Sequence, residues 1–331
     1  MSSAGAQGLK QRLKAEASRL GFSHCGVTEA DGLGEPTEQR FAQWIENGYG
    51  GGMAYLKREP RRRARPRELL PGARSVVCLA ARYAAHNPEN PQAPPRGWSR
   101  VARYARGRDY HLALDAPLKQ LEAWLQAERG EGARTRRFCD AGPLLERQFA
   151  QRAGLGFIGK NTLLIAPGAG SWIVLAAIVT SLEIEPDEPG LGTCGACVRC
   201  LEACPASAFP EPYVLDARRC ISSLTIEKRG EFTEQEARSI GHRLFGCDVC
   251  QEVCPYNKRP CQPSFPELDE TRFPDGLFRL ADLLAFRSNR PFERAFAGSP
   301  LLRPRLKGLR RNAAAVAANQ GDPALADLLK A

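Results

Sequence analysis

The stretch Cys194-Gly-Ala-Cys197-Val-Arg-Cys200-Leu-Glu-Ala-Cys204-Pro205, with its echo Cys247-Asp-Val-Cys250-Gln-Glu-Val-Cys254-Pro255, decides how this chain is read. Three cysteines at two-residue separations can wrap one iron-sulfur cube, and a fourth, followed by proline, is turned toward a second cube. The spacing therefore predicts one 4Fe-4S cluster held by Cys194, Cys197, Cys200 and Cys254. The second run lacks its first cysteine, because Leu244 stands where it should be. A thiolate must come from elsewhere, and Cys220 is the nearest candidate, giving a second set of Cys204, Cys220, Cys247 and Cys250. Structural zinc is the competing reading of such sets, but zinc sites usually arrive as two separated C-x2-C pairs rather than as a triple run. Cys25, Cys78, Cys139 and Cys261 fall outside the pattern and read as small buried hydrophobes.

Two clusters store and pass single electrons, so the rest of the chain must say what receives them. Residues 191–265 are expected to form a ferredoxin-like two-cluster domain. The stretch Glu183 to Gly192 (EIEPDEPGLG) ahead of it reads as a linker. Residues 1–190 alternate between helical and strand patterns, which predicts an α/β domain within an α+β chain. Leu9 to Leu20 reads as an amphipathic helix ended by Gly21, Gln39 to Glu46 as a second, and Tyr110 to Glu128 as a long third. Leu144 to Ala153 is a shorter helix closed by Gly154. Ser75 to Ala81, Asn161 to Ile165 and Trp172 to Thr180 read as strands, and Asn87 to Pro95 as a Pro-rich loop. Residues 266–331 are expected to be a helical tail whose last stretch, Arg310 to Leu329, is one unit of a HEAT-like repeat.

Composition narrows the compartment and the partner. Of 331 residues, 43% are hydrophobic and 25% charged, which excludes a disordered chain. The first residues lack an apolar core before a cleavage site, and the longest apolar run, Trp172 to Val179, is too short to span a bilayer. A cytoplasmic location is expected, where disulfides do not form and cysteines serve metals. The net charge of +10 is unevenly placed. Between Lys57 and Arg108 stand 14 Lys/Arg against Glu59, Glu68 and Glu89, so this one segment carries the whole excess. It points to a polyanionic partner, against the alternative of a merely solvated basic face.

Three further stretches carry a resemblance: Arg103-Tyr-Ala-Arg-Gly-Arg-Asp109-Tyr110-His111, Asp140-Ala-Gly-Pro-Leu-Leu-Glu-Arg147, and Ala153-Gly-Leu-Gly-Phe-Ile-Gly-Lys160-Asn161-Thr-Leu-Leu-Ile165. With the cysteine region, they make the chain resemble the epoxyqueuosine reductases from about residue 8 to the end. Parts of the third stretch are shared with corrinoid-dependent reductive dehalogenases. The resemblance implies a cobalamin in the N-terminal domain, reduced by the two clusters, and a transfer RNA substrate carrying epoxyqueuosine in its anticodon loop. It further implies base-off binding, since Asp109-Tyr-His111 is followed by Leu114 where a histidine-ligating motif needs glycine.

In the implied reaction, the epoxide oxygen leaves as water, consuming two electrons and two protons. Asp140 matches the family's proposed proton donor, and its other reading is an N-cap for the helix from Leu144. Asp109 is a second catalytic candidate, orienting the substrate diol or capping the helix from Tyr110. Lys57, Arg103, Lys160, Asn161, Asp248 and Val249 are the candidate cofactor-binding residues. The basic segment and the tail cations Arg303, Arg305, Lys307, Arg310 and Arg311 are the expected phosphate contacts. The chain is expected to act as a monomer with an external low-potential electron donor and no membrane. Two other readings stay open: a corrinoid reductase of a small molecule such as a halogenated compound, and a plain electron carrier, for which the first 190 residues are needlessly large.

Overall fold

A computed structural model of the chain describes residues 3–83, 93–128, 132–259, 262–269 and 272–330. Cys261 and most of the Pro-rich loop lie outside them. The N-terminal half is built on a four-stranded antiparallel sheet in the order β1-β2-β7-β4. Its members are β1 (His24–Glu29), β2 (Ser75–Arg82), β4 (Thr135–Phe138) and β7 (Ile173–Thr180).

The apolar runs of β2 and β7 arise because both faces of the central strands are covered. On β2, Val77, Leu79 and Ala81 face one core with Leu9 and Leu13 of α1 (Ser3–Arg19) and Leu114, Leu121 and Leu125 of the long helix α3 (Tyr110–Ala127). The alternate residues Val76, Cys78 and Ala80 face a second core with Phe149 and Ala150 of α4 (Glu146–Arg152). The period of two along a pleated strand thus assigns each residue to one helical layer or the other.

Helix α2 covers Glu35–Glu46, four residues earlier than the sequence pattern suggests, because Pro36 sits in its first turn. The expected strand Asn161 to Ile165 is corrected: it is a hairpin of two short strands, β5 (Phe157–Ile158) and β6 (Leu164–Ile165), with 159–163 as its turn. The helix expected from Leu144 starts instead at Glu146, with Leu145 as its N-cap and no side-chain cap bond.

A second sheet joins segments that look separate in the sequence. Its order is β8-β3-β9, with β3 (Trp98–Val101) parallel to β8 (Arg243–Phe245) and antiparallel to β9 (Leu277–Arg279). Each strand comes from a different one of the three expected segments. They share one core in which Val101, Phe245, Phe278 and Leu309 meet. The cysteine-bearing loops are therefore fastened to both flanking segments, not hung from a linker.

The tail ends in two packed helices, α5 (Arg305–Asn319) and α6 (Pro323–Lys330). Asn312, fully buried, donates to the carbonyls of Thr225 at 2.7 Å and Leu244 at 2.9 Å. Arg311, also buried, donates to Leu224, Lys228 and Gly230 carbonyls at 3.1, 2.9 and 2.8 Å. This corrects the expectation that Arg311 contacts phosphate. Arg310 donates to the Phe286 carbonyl at 2.9 Å, while Arg305 and Lys307 remain exposed.

Candidate functional site

Two groups of cysteines converge where the short helices Arg199–Glu202 and Val249–Glu252 approach one another. Cys200 feels the charges of Cys194, Cys254 and Cys197, and Cys254 those of Cys194 and Cys197. Cys250 feels Cys247, Cys220 and Cys204, and Cys220 feels Cys204. The two runs are thus crossed in space, with Cys220 beside the second group.

Backbone N–H groups point at several sulfurs: Lys160 N donates to Cys194 Sγ at 3.4 Å and Ala208 N to Cys204 Sγ at 3.3 Å. Cys220 and Cys254 stand at the N-caps of the short helices Ile221–Ile226 and Pro255–Asn257 without a side-chain cap hydrogen bond, and the nearby N–H groups only partly offset the rise that burial gives their thiols. Burial pushes the Cys247 thiol up to about 12 and raises Cys220, Cys250 and Cys254 as well. Such thiols ionise readily only beside a positive core, and donors aimed at sulfur are how a protein tunes an iron-sulfur cluster. The residues present therefore fit two cubanes. Among the described residues, no three His, Cys, Asp or Glu side chains converge tightly enough for a single metal ion.

The turn of the β5–β6 hairpin reaches into this region. Lys160 Nζ donates to Gly195 O at 2.8 Å, and the buried Asn161 amide to Cys250 O at 3.3 Å, so adjacent residues brace the loops of both groups. Asp248, buried, accepts from Arg103 N at 2.7 Å, and burial raises its carboxyl. Arg103 is itself buried, 5.2 Å from the Trp172 ring centroid and 3.9 Å from Glu252. Val249 begins the helix after Asp248, and Lys57 ends the exposed turn Ala54–Lys57. These amide, carboxyl and guanidinium groups cluster next to the second cysteine group, a polar setting that fits the amide rim of a corrin.

Asp140 lies on the turn between β4 and α4 with φ 57°, a left-handed conformation that Asp tolerates better than most residues. Its side chain does not cap α4. Instead the relation runs the other way, since the Glu146 carboxyl accepts the Asp140 N–H at 3.0 and 3.1 Å. The Asp140 carboxyl, 60% exposed, accepts a hydrogen bond from Tyr110 Oη and lies 3.9 Å from Arg303. Arg303 Nη2 donates to Tyr110 Oη at 2.8 Å and lies 3.0 Å from His111 Nδ1. The tail residue expected to hold phosphate thus reaches across to the Asp140 turn. Its guanidinium stands 5.1 Å from the Tyr110 ring.

Asp109 caps α3 by accepting His111 N at 3.0 Å, in keeping with its capping reading. Burial alone would raise its carboxyl, but the side-chain and backbone donations of His111 outweigh that and hold it below the usual range. These bonds favour its ionised form, which suits orienting a neighbour rather than giving up a proton. Tyr110, Glu146 and Arg303 were not singled out from sequence for this role, although Tyr110 and Glu146 lie inside the quoted stretches.

Burial pushes the Glu146 carboxyl up to about 8, with Asp140 adding to the rise. The folded value lies above the ordinary value of 4.5, so folding takes up a proton between these two pH values. Stability from this group is full below about pH 4.5 and is lost as pH rises through 8. Glu146→Gln removes that dependence. Anaerobic thermal unfolding should show wild type losing on the order of 3 kcal/mol relative to the variant between pH 5 and pH 8.5. Parallel curves would show that Glu146 is not held protonated.

Comparison with known proteins places these features in a common setting. Residues 63–141 match a family model described as "Epoxyqueuosine reductase QueG, DUF1730", and residues 193–257 one described as "4Fe-4S double cluster binding domain". The chain is 40% identical to an epoxyqueuosine reductase of Gloeobacter violaceus over 314 residues, covering 94% of this chain and 96% of the relative. A solved epoxyqueuosine reductase from Bacillus subtilis, described with its catalytic loop swung out of the active site, superposes with TM-score 0.87 at 34% identity, covering 96% of this chain and 83% of that one. A solved epoxyqueuosine reductase with an epoxyqueuosine-modified tRNA stem loop superposes with the same TM-score, identity and coverage.

Proposed function

This chain belongs to the epoxyqueuosine reductase family, and from that premise we propose that it removes the epoxide oxygen of epoxyqueuosine in the anticodon loop of transfer RNA, giving queuosine. The observation that carries the reading is the match to a relative of that activity across 94% of the chain, cysteine region included. The solved relative holding a modified stem loop supports tRNA as the substrate here. The cofactors are two 4Fe-4S clusters and a cobalamin, which when bound would supply the two electrons that the ring opening consumes.

The chain's own residues then have separable tasks. Cys194, Cys197, Cys200 and Cys254 hold one cluster, and Cys204, Cys220, Cys247 and Cys250 the other. The buried Asn161, Asp248 and Arg103 would hold the polar rim of the corrin. Asp140 donates a proton to the leaving oxygen, since an alkoxide leaves poorly unless protonated. Tyr110 and Arg303 orient that carboxyl, and Asp109 with His111 fixes the start of the helix that carries Tyr110. The oxygen departs as water, and two electrons and two protons are consumed.

The electrons come from an external low-potential donor, and the chain works as a cytoplasmic monomer. No helix among the described residues is long and apolar enough to cross a membrane. The terminal pair α5–α6, as one HEAT-like unit, serves as a brace for the cluster loops, because Arg311 and Asn312 are turned inward.

The test combines anaerobic protein, cobalamin, a chemical reductant and tRNA from cells that accumulate epoxyqueuosine. Mass spectrometry of the digested nucleosides should show loss of one oxygen, and iron analysis about eight atoms per chain. An unchanged nucleoside with full iron loading would remove the tRNA reading and return the choice to a small-molecule reductase or an electron carrier.

A further inference from the structure

Most large aromatic side chains of this protein are packed away, and those left exposed invite a reason. Tyr55 is 49% exposed, on the turn Ala54–Lys57 that follows the glycines of 48–52. Its backbone is not loose. Arg63 Nη2 donates to Tyr55 O at 3.0 Å and Arg63 Nη1 to Gly142 O at 3.4 Å, while Leu145 N donates to Arg63 O at 3.0 Å. One guanidinium, itself only 9% exposed, thus ties the Tyr55 turn to the Asp140 turn from both ends. The Tyr55 hydroxyl lies within electrostatic reach of Glu227, Asp140, Arg63 and Arg303. Lys57, Arg58 and Arg61 are exposed alongside it, and Arg62 pairs with Glu59 at 2.9 Å.

Other exposed aromatics have a different setting. Tyr256 donates its hydroxyl to Thr193 O at 2.9 Å and meets the Phe157 ring edge-on, beside the first cysteine group. Tyr213 adjoins Lys160, to whose carbonyl its N–H donates at 3.0 Å. Trp98, 37% exposed, lies on β3 opposite Arg279 of β9. Tyr55 instead sets an open ring among exposed cations on the turn that Arg63 ties to the Asp140 turn.

An exposed ring on a fixed backbone, set among cations, is the combination by which proteins hold unpaired nucleotides. The cations follow phosphates, and the ring offers its face to any base. We propose that Tyr55 is a stacking platform for an unpaired anticodon-loop base next to the nucleotide being reduced. This rests on the tRNA reading above and adds to it a specific residue that holds the loop open. A base extruded toward Asp140 leaves its neighbour unstacked, and the ring replaces the lost stacking partner.

The experiment uses the holoprotein and an anticodon stem-loop RNA with 2-aminopurine on one or the other side of the modified position. Wild type should bind with a change in 2-aminopurine emission at one of the two positions. Tyr55→Ala and Tyr55→Leu should each raise Kd about tenfold and abolish that change, while Tyr55→Phe and Tyr55→Trp retain both. Arg61→Ala should weaken binding and flatten the salt dependence, yet leave the emission change in place. Equal Kd and emission for wild type and Tyr55→Leu at full iron content would overturn the proposal. Loss of the signal in Tyr55→Phe would overturn it too, by moving the effect to the hydroxyl. Wild type that fails to bind the RNA at all would instead overturn the tRNA reading.

Discussion

Asp140→Asn is expected to lower kcat by about 10²–10³-fold, with iron content and RNA affinity unchanged. The substitution is close to a clean deletion of the proton. Asn, like Asp, tolerates the left-handed backbone found at this position, φ 57°. Its amide oxygen can still accept from Tyr110 Oη, and the N–H donated to Glu146 belongs to the backbone. What disappears is the ionisable group itself, at the mouth of the site, where 60% of the side chain is open. Asp140→Ala should cost more, because Tyr110 and Arg303 then lose their carboxylate as well. Single-turnover reduction of a modified stem loop, read by nucleoside mass, measures both variants. Asn turning over at the wild-type rate would reduce Asp140 to a residue that shapes the turn.

The parts of this molecule that could be read in advance are those where neighbours in sequence are neighbours in space. The cysteine runs declare themselves because they set three thiols within a single local wrap. β2 and β7 are visible because strands covered on both faces carry unbroken apolar runs. β4, by contrast, is an edge strand reading Thr135-Arg-Arg-Phe138, too short and polar to show a period. The β8-β3-β9 sheet is assembled from strands of three or four residues drawn from three distant segments, so no local window contains its pattern. The site divides in the same way. Asp140 and Asp109 sit in recognisable stretches, whereas Arg303 lies 193 residues from the Tyr110 it contacts and looks, by composition, like one more surface cation. Arg311 misled for the opposite reason: a charge in an arginine-rich helix is read as solvated, and here it satisfies three backbone carbonyls.

Cys220→Ser is the sharpest test of the crossed cysteine sets, because Cys220 stands outside both motif runs. Its sulfur sits at the N-terminus of the short helix Ile221–Ile226, buried and within reach of the charge of Cys204. A serine hydroxyl fits the space but ionises far less readily than a thiol and binds iron weakly in its place. Iron should fall from about eight to about four atoms per chain, with the set of Cys194, Cys197, Cys200 and Cys254 still loaded. Turnover should drop below about 1% of wild type, since a missing relay removes the electron path rather than slowing one step. Cys78→Ser is the matched control. That thiol is 1% exposed in the core between the sheet and α4, where burial raises it and no other motif cysteine approaches it. It should cost stability and leave iron at eight. Eight irons in Cys220→Ser would mean that another side chain completes the second set.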